Sequence, residues 1–305
     1  MLTFEVAPAV VLAARRVRGG NVVRPLPLFF RFFVSSWMFL LPDLAMAQTG
    51  RTRPPDDAQR YDACMTMSRR DAMAAFEQAL NWQDQGGGAP ARHCAAAALV
   101  SMKQFKEGAT RLEALAQEIR QPEMETVRVG VLAQAGQAWL LAGDTGRAYA
   151  ALSAALQQAP QDPELWTDRG QTLATARNYK EAIDDFDKAI QIDPERPDAY
   201  LFRASARRYM EDFARARQDI DRALTLAPTD PDALVERGII KRLTGDDAGA
   251  REDWMQVIRR HPDSAAAAAA QARTGPIRSP GPRSAAAAGR RARGRPAAAA
   301  SRAAT

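Results

Sequence analysis

Histidine and cysteine are scarce in this chain, with two of each among 305 residues. A structural zinc site takes four Cys or His ligands, and histidine is the commonest acid–base catalyst, so both uses are disfavoured. His93 lies beside Cys94, but no second histidine is near it and no acidic residue stands at a fixed spacing to orient it. We therefore predict that the chain is not an enzyme and holds neither a cofactor nor a metal.

Long apolar runs are also missing, since the run at residues 32–42 is only about half the roughly 20 residues that a membrane-spanning helix needs. Arg24 and Arg31 precede this run, and Ala45-Met46-Ala47 follows it. This order is typical of a secretory signal peptide over residues 1–47, cleaved before Gln48. The mature chain is then expected in the periplasm or outside the cell, without a membrane span. A buried core helix or an uncleaved anchor is the alternative.

Acidic residues are absent from the last segment of the chain, where residues 273–305 carry eight arginines. Residues 274–305 consist almost entirely of Ala, Arg, Pro, Gly and Ser, which predicts a disordered tail. The net charge of +6 comes from the two ends, because residues 48–272 are acidic overall. A nucleic-acid partner is therefore not expected.

Proline recurs at a fixed interval in the centre of the chain. Pro160, Pro194, Pro228 and Pro262 lie 34 residues apart. A small, a large and a second small or medium apolar residue keep the same interval at i, i+4 and i+7, which is one face of a helix. These positions are Ala148, Ala182, Ala216 and Ala250; Leu152, Phe186, Ile220 and Trp254; and Ala155, Ala189, Ala223 and Val257.

A small residue also precedes each of those alanines by twelve positions, at Gly136, Gly170, Ala204 and Gly238. The combined pattern resembles the tetratricopeptide repeat. Residues 163–196 match it best, with Trp166, Gly170, Leu173, Ala182, Phe186, Ala189 and Pro194. The resemblance implies an all-α, right-handed α-solenoid of helix-turn-helix hairpins. In each hairpin the small residue lets the second helix approach, and the large residue fills the gap to the next unit.

Four regular units are predicted in the frame of the prolines, at residues 129–162, 163–196, 197–230 and 231–264. The period loosens over residues 48–128, where we predict two degenerate units, 53–86 and 87–128, with a break near Gln121-Pro122. An unrelated small helical domain over residues 58–125 is the alternative. Asp263-Ser264 is expected to cap a last helix over residues 265–273, which would cover the end of the stack.

The resemblance also implies a binding surface, because the first helices of such repeats line an inner groove. The groove positions expected here are Gln134, Gln137, Asp168, Gln171, Phe202, Ser205, Glu236 and Ile239. A mixed polar and apolar groove suits an extended peptide or a helix of a partner protein. For Phe202 and Ile239, packing between repeats is an equal alternative.

The sequence thus predicts a protein–protein interaction scaffold of the cell envelope, with partner and oligomeric state undefined. The alternative is an envelope tether whose arginine-rich tail binds anionic lipid or polymer. Asp184, Asp185 and Asp187, which stand near Lys180 and Lys188, are expected to form a solvated face of a second helix.

Cys64 and Cys94 both follow the predicted signal peptide, so an oxidising compartment favours a disulfide between them. In the repeat frame both lie on first helices of adjacent units. Pairing requires a break in the helix after Met67, at Ser68-Arg69-Arg70. In one straight helix over residues 58–84, Cys64 would lie about 30 Å from the hairpin turn and out of reach of Cys94.

We predict that non-reducing mass spectrometry of the protein from its native compartment finds no free thiol. Closing a loop of this size is expected to stabilise the fold by about 3.5 kcal/mol in the chain-entropy model. Two alkylatable cysteines in that protein would contradict the disulfide.

Overall fold

The computed structural model describes residues 56–274, which divide into two compact units between Leu226 and Ala227. The predicted signal peptide, and the predicted tail beyond Thr274, lie outside the described residues. In the first unit the helices are α1 (Asp57–Met67), α2 (Ala72–Asp84), α3 (Gly88–Ser101), α4 (Phe105–Glu118), α5 (Glu125–Leu141), α6 (Thr145–Gln158), α7 (Pro163–Thr175), α8 (Tyr179–Ile192), α9 (Pro197–Tyr209) and α10 (Phe213–Leu226). In the second they are α11 (Pro231–Leu243), α12 (Asp247–Arg260) and α13 (Ala265–Thr274).

Each helix of the first unit packs against its neighbours in sequence, so that α1 to α10 form successive antiparallel hairpins. The first helices of three hairpins also touch, α5 against α7 and α7 against α9. A one-turn 3-10 helix, Pro122–Met124, separates α4 from α5, at the break expected near Gln121-Pro122. No strand occurs within residues 56–274. The first unit is therefore an all-α stack of helix hairpins.

Small residues set the closeness of the two helices within a hairpin. A Cβ atom added at Gly136 would lie 2.5 Å from Leu152 Cγ, and one at Gly170 would lie 2.5 Å from Phe186 Cε1. Leu152 and Phe186 are both fully buried. The tight contact predicted between the small and the large residue of each unit is thus confirmed in these hairpins, where a larger side chain would force the helices apart.

The second unit is built in the same way and ends in a short helix. Gly238 on α11 faces the buried Trp254 on α12, whose indole donates to Val235 O at 3.2 Å. Ser264 caps α13, because its Oγ accepts from Ala267 N at 3.0 Å. Ala267 and its neighbours are buried against the two preceding helices, as the predicted role of a covering helix requires.

The helix break required for the disulfide is present at the start of the first unit. Helix α1 ends at Met67 and α2 begins at Ala72, so residues 58–84 do not form one straight helix. Cys64 and Cys94 are bonded to each other, with their Cα atoms 6.1 Å apart. The bond fixes α1 against α3, next to the helices that follow.

A buried ion pair recurs between the two helices of a hairpin, sixteen residues apart in sequence. In the first unit Arg169 Nε and Nη2 each donate to the Asp185 carboxylate at 2.8 Å, and Arg203 donates to Asp219 at 3.0 and 2.6 Å. The same pair occurs in the second unit between Arg237 and Asp253. The three carboxylates are 2–5% exposed.

The expectation of a solvated acidic face is therefore wrong for Asp185. Its two oxygens accept a bidentate arginine, which neutralises the charge that would otherwise keep the residue in water. Asp187 does remain half-exposed, where it pairs with Arg203. The hairpin of α5 and α6 has Ala135 and Ala151 at the two equivalent positions, so both members of the pair are replaced together and no charge is left alone.

We predict that Asp185→Ala lowers the free energy of unfolding by about 3–5 kcal/mol, because it leaves the Arg169 guanidinium buried without its partner. The double variant Arg169→Ala/Asp185→Ala, which reproduces the alanines of the preceding hairpin, should cost less than the single change. Urea unfolding followed by circular dichroism measures both. A double variant that is less stable than Asp185→Ala would contradict this explanation.

Candidate functional site

Three helices of the first unit carry six of the expected groove residues on one side. On α5, α7 and α9 these residues stand three positions apart, so each pair projects from the same face of its helix. Because the three helices touch in order, the pairs lie next to one another. We call this surface the first-helix face: Gln134, Gln137, Asp168, Gln171, Phe202 and Ser205.

One end of the first-helix face is held by a chain of hydrogen bonds from earlier helices. Tyr61 OH donates to His93 Nδ1 at 2.7 Å, and His93 Nε2 donates to Gln134 Oε1 at 2.9 Å. His93 is only 8% exposed, and burial lowers its pKa. The histidine is thus a neutral structural link from α1 through α3 to α5, and Tyr61 and His93 position Gln134.

The middle of the face joins an amide to a carboxyl group. Gln137 Nε2 donates to Asp168 Oδ2 at 2.8 Å, which links α5 to α7. The pKa of Asp168 is raised to about 7, chiefly by burial and also by the nearby carboxylates of Glu164 and Asp198. The Gln137 bond and Arg196 lower that pKa but do not offset the burial. Asp168 is therefore a carboxyl group that titrates near neutral pH.

The remaining residues of the face divide into packing and accessible side chains. The Phe202 ring lies 6.1 Å from the Phe186 ring and packs on the buried core there, as the alternative interpretation proposed. Ser205 Oγ accepts from Arg208 Nη2 at 3.3 Å. The Gln171 amide is half-buried and forms no hydrogen bond to any residue in the described range 56–274. Gln171 is thus the side chain of the face best placed to bind another molecule.

The second unit places the last two expected groove residues on α11. Glu236 is only 7% exposed, whereas Ile239 is half-buried. A carboxylate this deeply buried serves the packing of its own unit before it serves a ligand. The sequence pattern did not indicate this, because Gln134, Asp168 and Phe202 at the equivalent positions of other repeats differ in charge and size.

The first-helix face offers amide, hydroxyl and carboxyl groups on a rigid support. Such groups donate to and accept from the backbone of an extended peptide. Within residues 56–274, no group of three or more His, Cys, Asp or Glu side chains is placed to hold a metal ion. No helix in this range is both long enough and apolar enough to cross a bilayer.

Two family models match the chain, and both describe the tetratricopeptide repeat. One covers residues 137–207 and the other residues 203–265. The matches span α6 to α12 completely and include the hairpins with the buried arginine–aspartate pairs. No curated protein shows a significant match to the chain.

Solved structures of other proteins share the fold. PilF of Pseudomonas aeruginosa is 16% identical, and the similarity covers 72% of this chain and 100% of PilF with a TM-score of 0.53. TTC0263, a TPR protein of Thermus thermophilus, is 12% identical over 61% of this chain and 97% of its own, with a TM-score of 0.52. The APC/C hetero-tetramer Cut9–Hcn1 gives 12%, 72%, 43% and 0.56 in the same order. At these identities the likeness shows the fold alone, and it confirms a helical solenoid of stacked hairpins.

We predict that Asp168→Asn removes part of the pH dependence of stability. The folded-state pKa of about 7 lies above the ordinary value of 3.8, so the folded protein binds more protons than the unfolded chain between these limits. Asp168 therefore destabilises the wild type increasingly as pH rises from about 4 to 7, by on the order of 1–3 kcal/mol.

Urea unfolding of both proteins at pH 4.5 and pH 8 measures this effect. The Asn side chain keeps an oxygen that can accept from Gln137, so the variant should be more stable than the wild type at pH 8 and nearly equal to it at pH 4.5. The same stability difference at both pH values would show that Asp168 is ionised across this range.

Proposed function

The chain belongs to the tetratricopeptide repeat family, and from this premise we propose that it is a scaffold whose first-helix face binds a segment of a partner protein. The fold itself is that of a protein–protein interaction scaffold. The proposal assigns the contact to α5, α7 and α9, with Gln171 at its centre.

The observation that carries this proposal is the contrast between Gln171 and its neighbours on the face. Gln134, Gln137 and Asp168 are already bonded to other side chains, which fixes their orientation. The Gln171 amide keeps both its donors and its acceptor available beside this ordered row. A preorganised row with one open amide suits the backbone of an extended segment, since little side-chain entropy is lost on binding.

The proposed role is binding without catalysis. The buried His93 is held as a neutral link by Tyr61 and Gln134, which supports a structural role for it. Proteins of this family generally act as non-catalytic scaffolds, and we extend that role to this chain.

We also propose that the scaffold works in the cell envelope, in the periplasm or outside the cell. The support is the signal-peptide pattern of residues 1–47 together with the Cys64–Cys94 disulfide, a bond that persists in oxidising compartments.

We predict that a photoreactive amino acid at Gln171 crosslinks to a partner protein in envelope fractions. The same amino acid at Glu181, an exposed residue on the second helix of the same hairpin, should give no crosslink to that partner. Mass spectrometry of the adduct identifies the partner segment. Equal crosslinking from both positions would contradict binding at the first-helix face.

The arginine-rich tail provides a matched test of the tether alternative. A chain truncated after Arg273 keeps all but the last residue of the described helices and loses seven arginines. If the first-helix face binds the partner, the truncated chain still forms the Gln171 crosslink. If the tail alone retains the protein on the envelope, truncation abolishes both retention and the crosslink.

A further inference from the structure

A cleft of about 360 Å³ opens in the first unit at the start of α6, away from the first-helix face. It lies where the end of α5, the turn after it and the start of α4 meet. Its walls are formed by Lys106, Trp139, Ala142, Gly143, Asp144, Thr145 and Gly146. Nothing in the proposed scaffold function uses this cleft.

The cleft contains two backbone donors that the helix cannot satisfy. Thr145 and Gly146 are the first two residues of α6, a 14-residue helix, so their N–H groups have no acceptor within it. Asp144 Oδ1 accepts instead from Arg147 N at 3.0 Å, one position further along. The positive end of the helix dipole therefore faces the cleft with these two donors open.

Trp139 supplies a third donor at the base of the cleft. It is 1% exposed, and its indole N–H has no acceptor among the described residues. The two comparable tryptophans differ, because Trp166 donates to Pro160 O at 2.9 Å and Trp254 donates to Val235 O. Buried polar groups are nearly always hydrogen-bonded, so an open indole in a cleft wall points to an acceptor supplied from outside the protein.

The charges around the cleft favour an anion. Lys106 forms no ion pair with any residue in 56–274, and Lys103 likewise lies unpaired in an adjoining cleft that shares Lys106 and Ala142. The start of α4 in that second cleft has no side-chain cap.

The two acidic residues at these clefts are offset by arginines. Glu107 pairs with Arg111 at 2.9 Å, and the Asp144 carboxylate lies 3.6 Å from Arg147 Nε. Arg147 also stacks over the Trp139 ring at 4.5 Å. The charge left without a partner is that of the lysines, and it is positive.

We propose that this cleft binds an oxyanion, a carboxylate or phosphate group, through the N–H groups of Thr145 and Gly146, the Trp139 indole and the Lys106 ammonium group. Every one of these groups is a donor, which fits a ligand that offers only acceptors. A metal ion or an organic cation finds no open acceptor of comparable number there.

The test is a titration of the full chain, labelled with ¹⁵N at its tryptophan indoles, with inorganic phosphate at constant ionic strength. The Trp139 resonance, assigned by its loss in Trp139→Phe, is expected to shift along a saturable curve. Acetyl-dialanine with a free carboxylate tests the second anion, and its amidated form is the uncharged control. Saturation by phosphate alone identifies a phosphate site, and saturation by the carboxylate alone identifies a carboxylate site.

Lys106→Gln removes the cationic donor from an exposed position, so the fold should persist, and we expect affinity to fall about fivefold. The matched control is Lys180→Gln, an exposed lysine on α8 outside the cleft, which should leave affinity within about twofold. Absence of a saturable Trp139 shift with both anions would overturn the proposal, as would an equal loss of affinity in the two lysine variants. Neither result bears on partner binding at the first-helix face.

Discussion

The close approach of two helices within a hairpin is the constraint on which the rest of the structure depends. Gly136 and Gly170 leave no room for a Cβ atom beside Leu152 and Phe186, so helix spacing is fixed by the smallest side chain available. Once that spacing repeats every 34 residues, successive first helices come to lie side by side. The first-helix face is a consequence of this packing. Its backbone is rigid because buried contacts on the opposite side of each helix hold it.

The buried arginine–aspartate pairs show where sequence reasoning stopped short. The period of 34 residues was visible in Arg169, Arg203 and Arg237 as well as in the prolines. Charged residues on an amphipathic helix are usually solvated, and that general rule outweighed the periodicity for Asp185. A pair sixteen residues apart leaves no local signal, because its members meet only after the hairpin closes. The paired alanines Ala135 and Ala151 indicate that the arrangement is exchanged as a unit, as the cost of one unpartnered buried charge requires.

The sequence predicted the fold and the disulfide pair well, and the chemistry of the face only in part. Helix pairing follows from small and large residues at fixed spacing, which is local information. The bond between Gln137 and Asp168 joins different repeats, and the link from Tyr61 through His93 to Gln134 crosses three hairpins. Those residues lie 31, 32 and 41 positions apart, off the regular period, so no repeat pattern indicates them. Burial of Glu236 was missed for the same reason.

Equivalent positions of the repeats obey two different rules, and this difference connects the fold to the function. Leu152, Phe186 and Ile220 are all large, apolar and fully buried, since each fills the same gap. Gln134, Asp168 and Phe202, one period apart, are an amide, a carboxyl group and an aromatic ring. Packing within the hairpin does not select these three side chains, because the same helix geometry accommodates all of them. Their chemistry is therefore free to be set by what the face contacts, and a row of unlike groups on a uniform support recognises one sequence of side chains better than it recognises many.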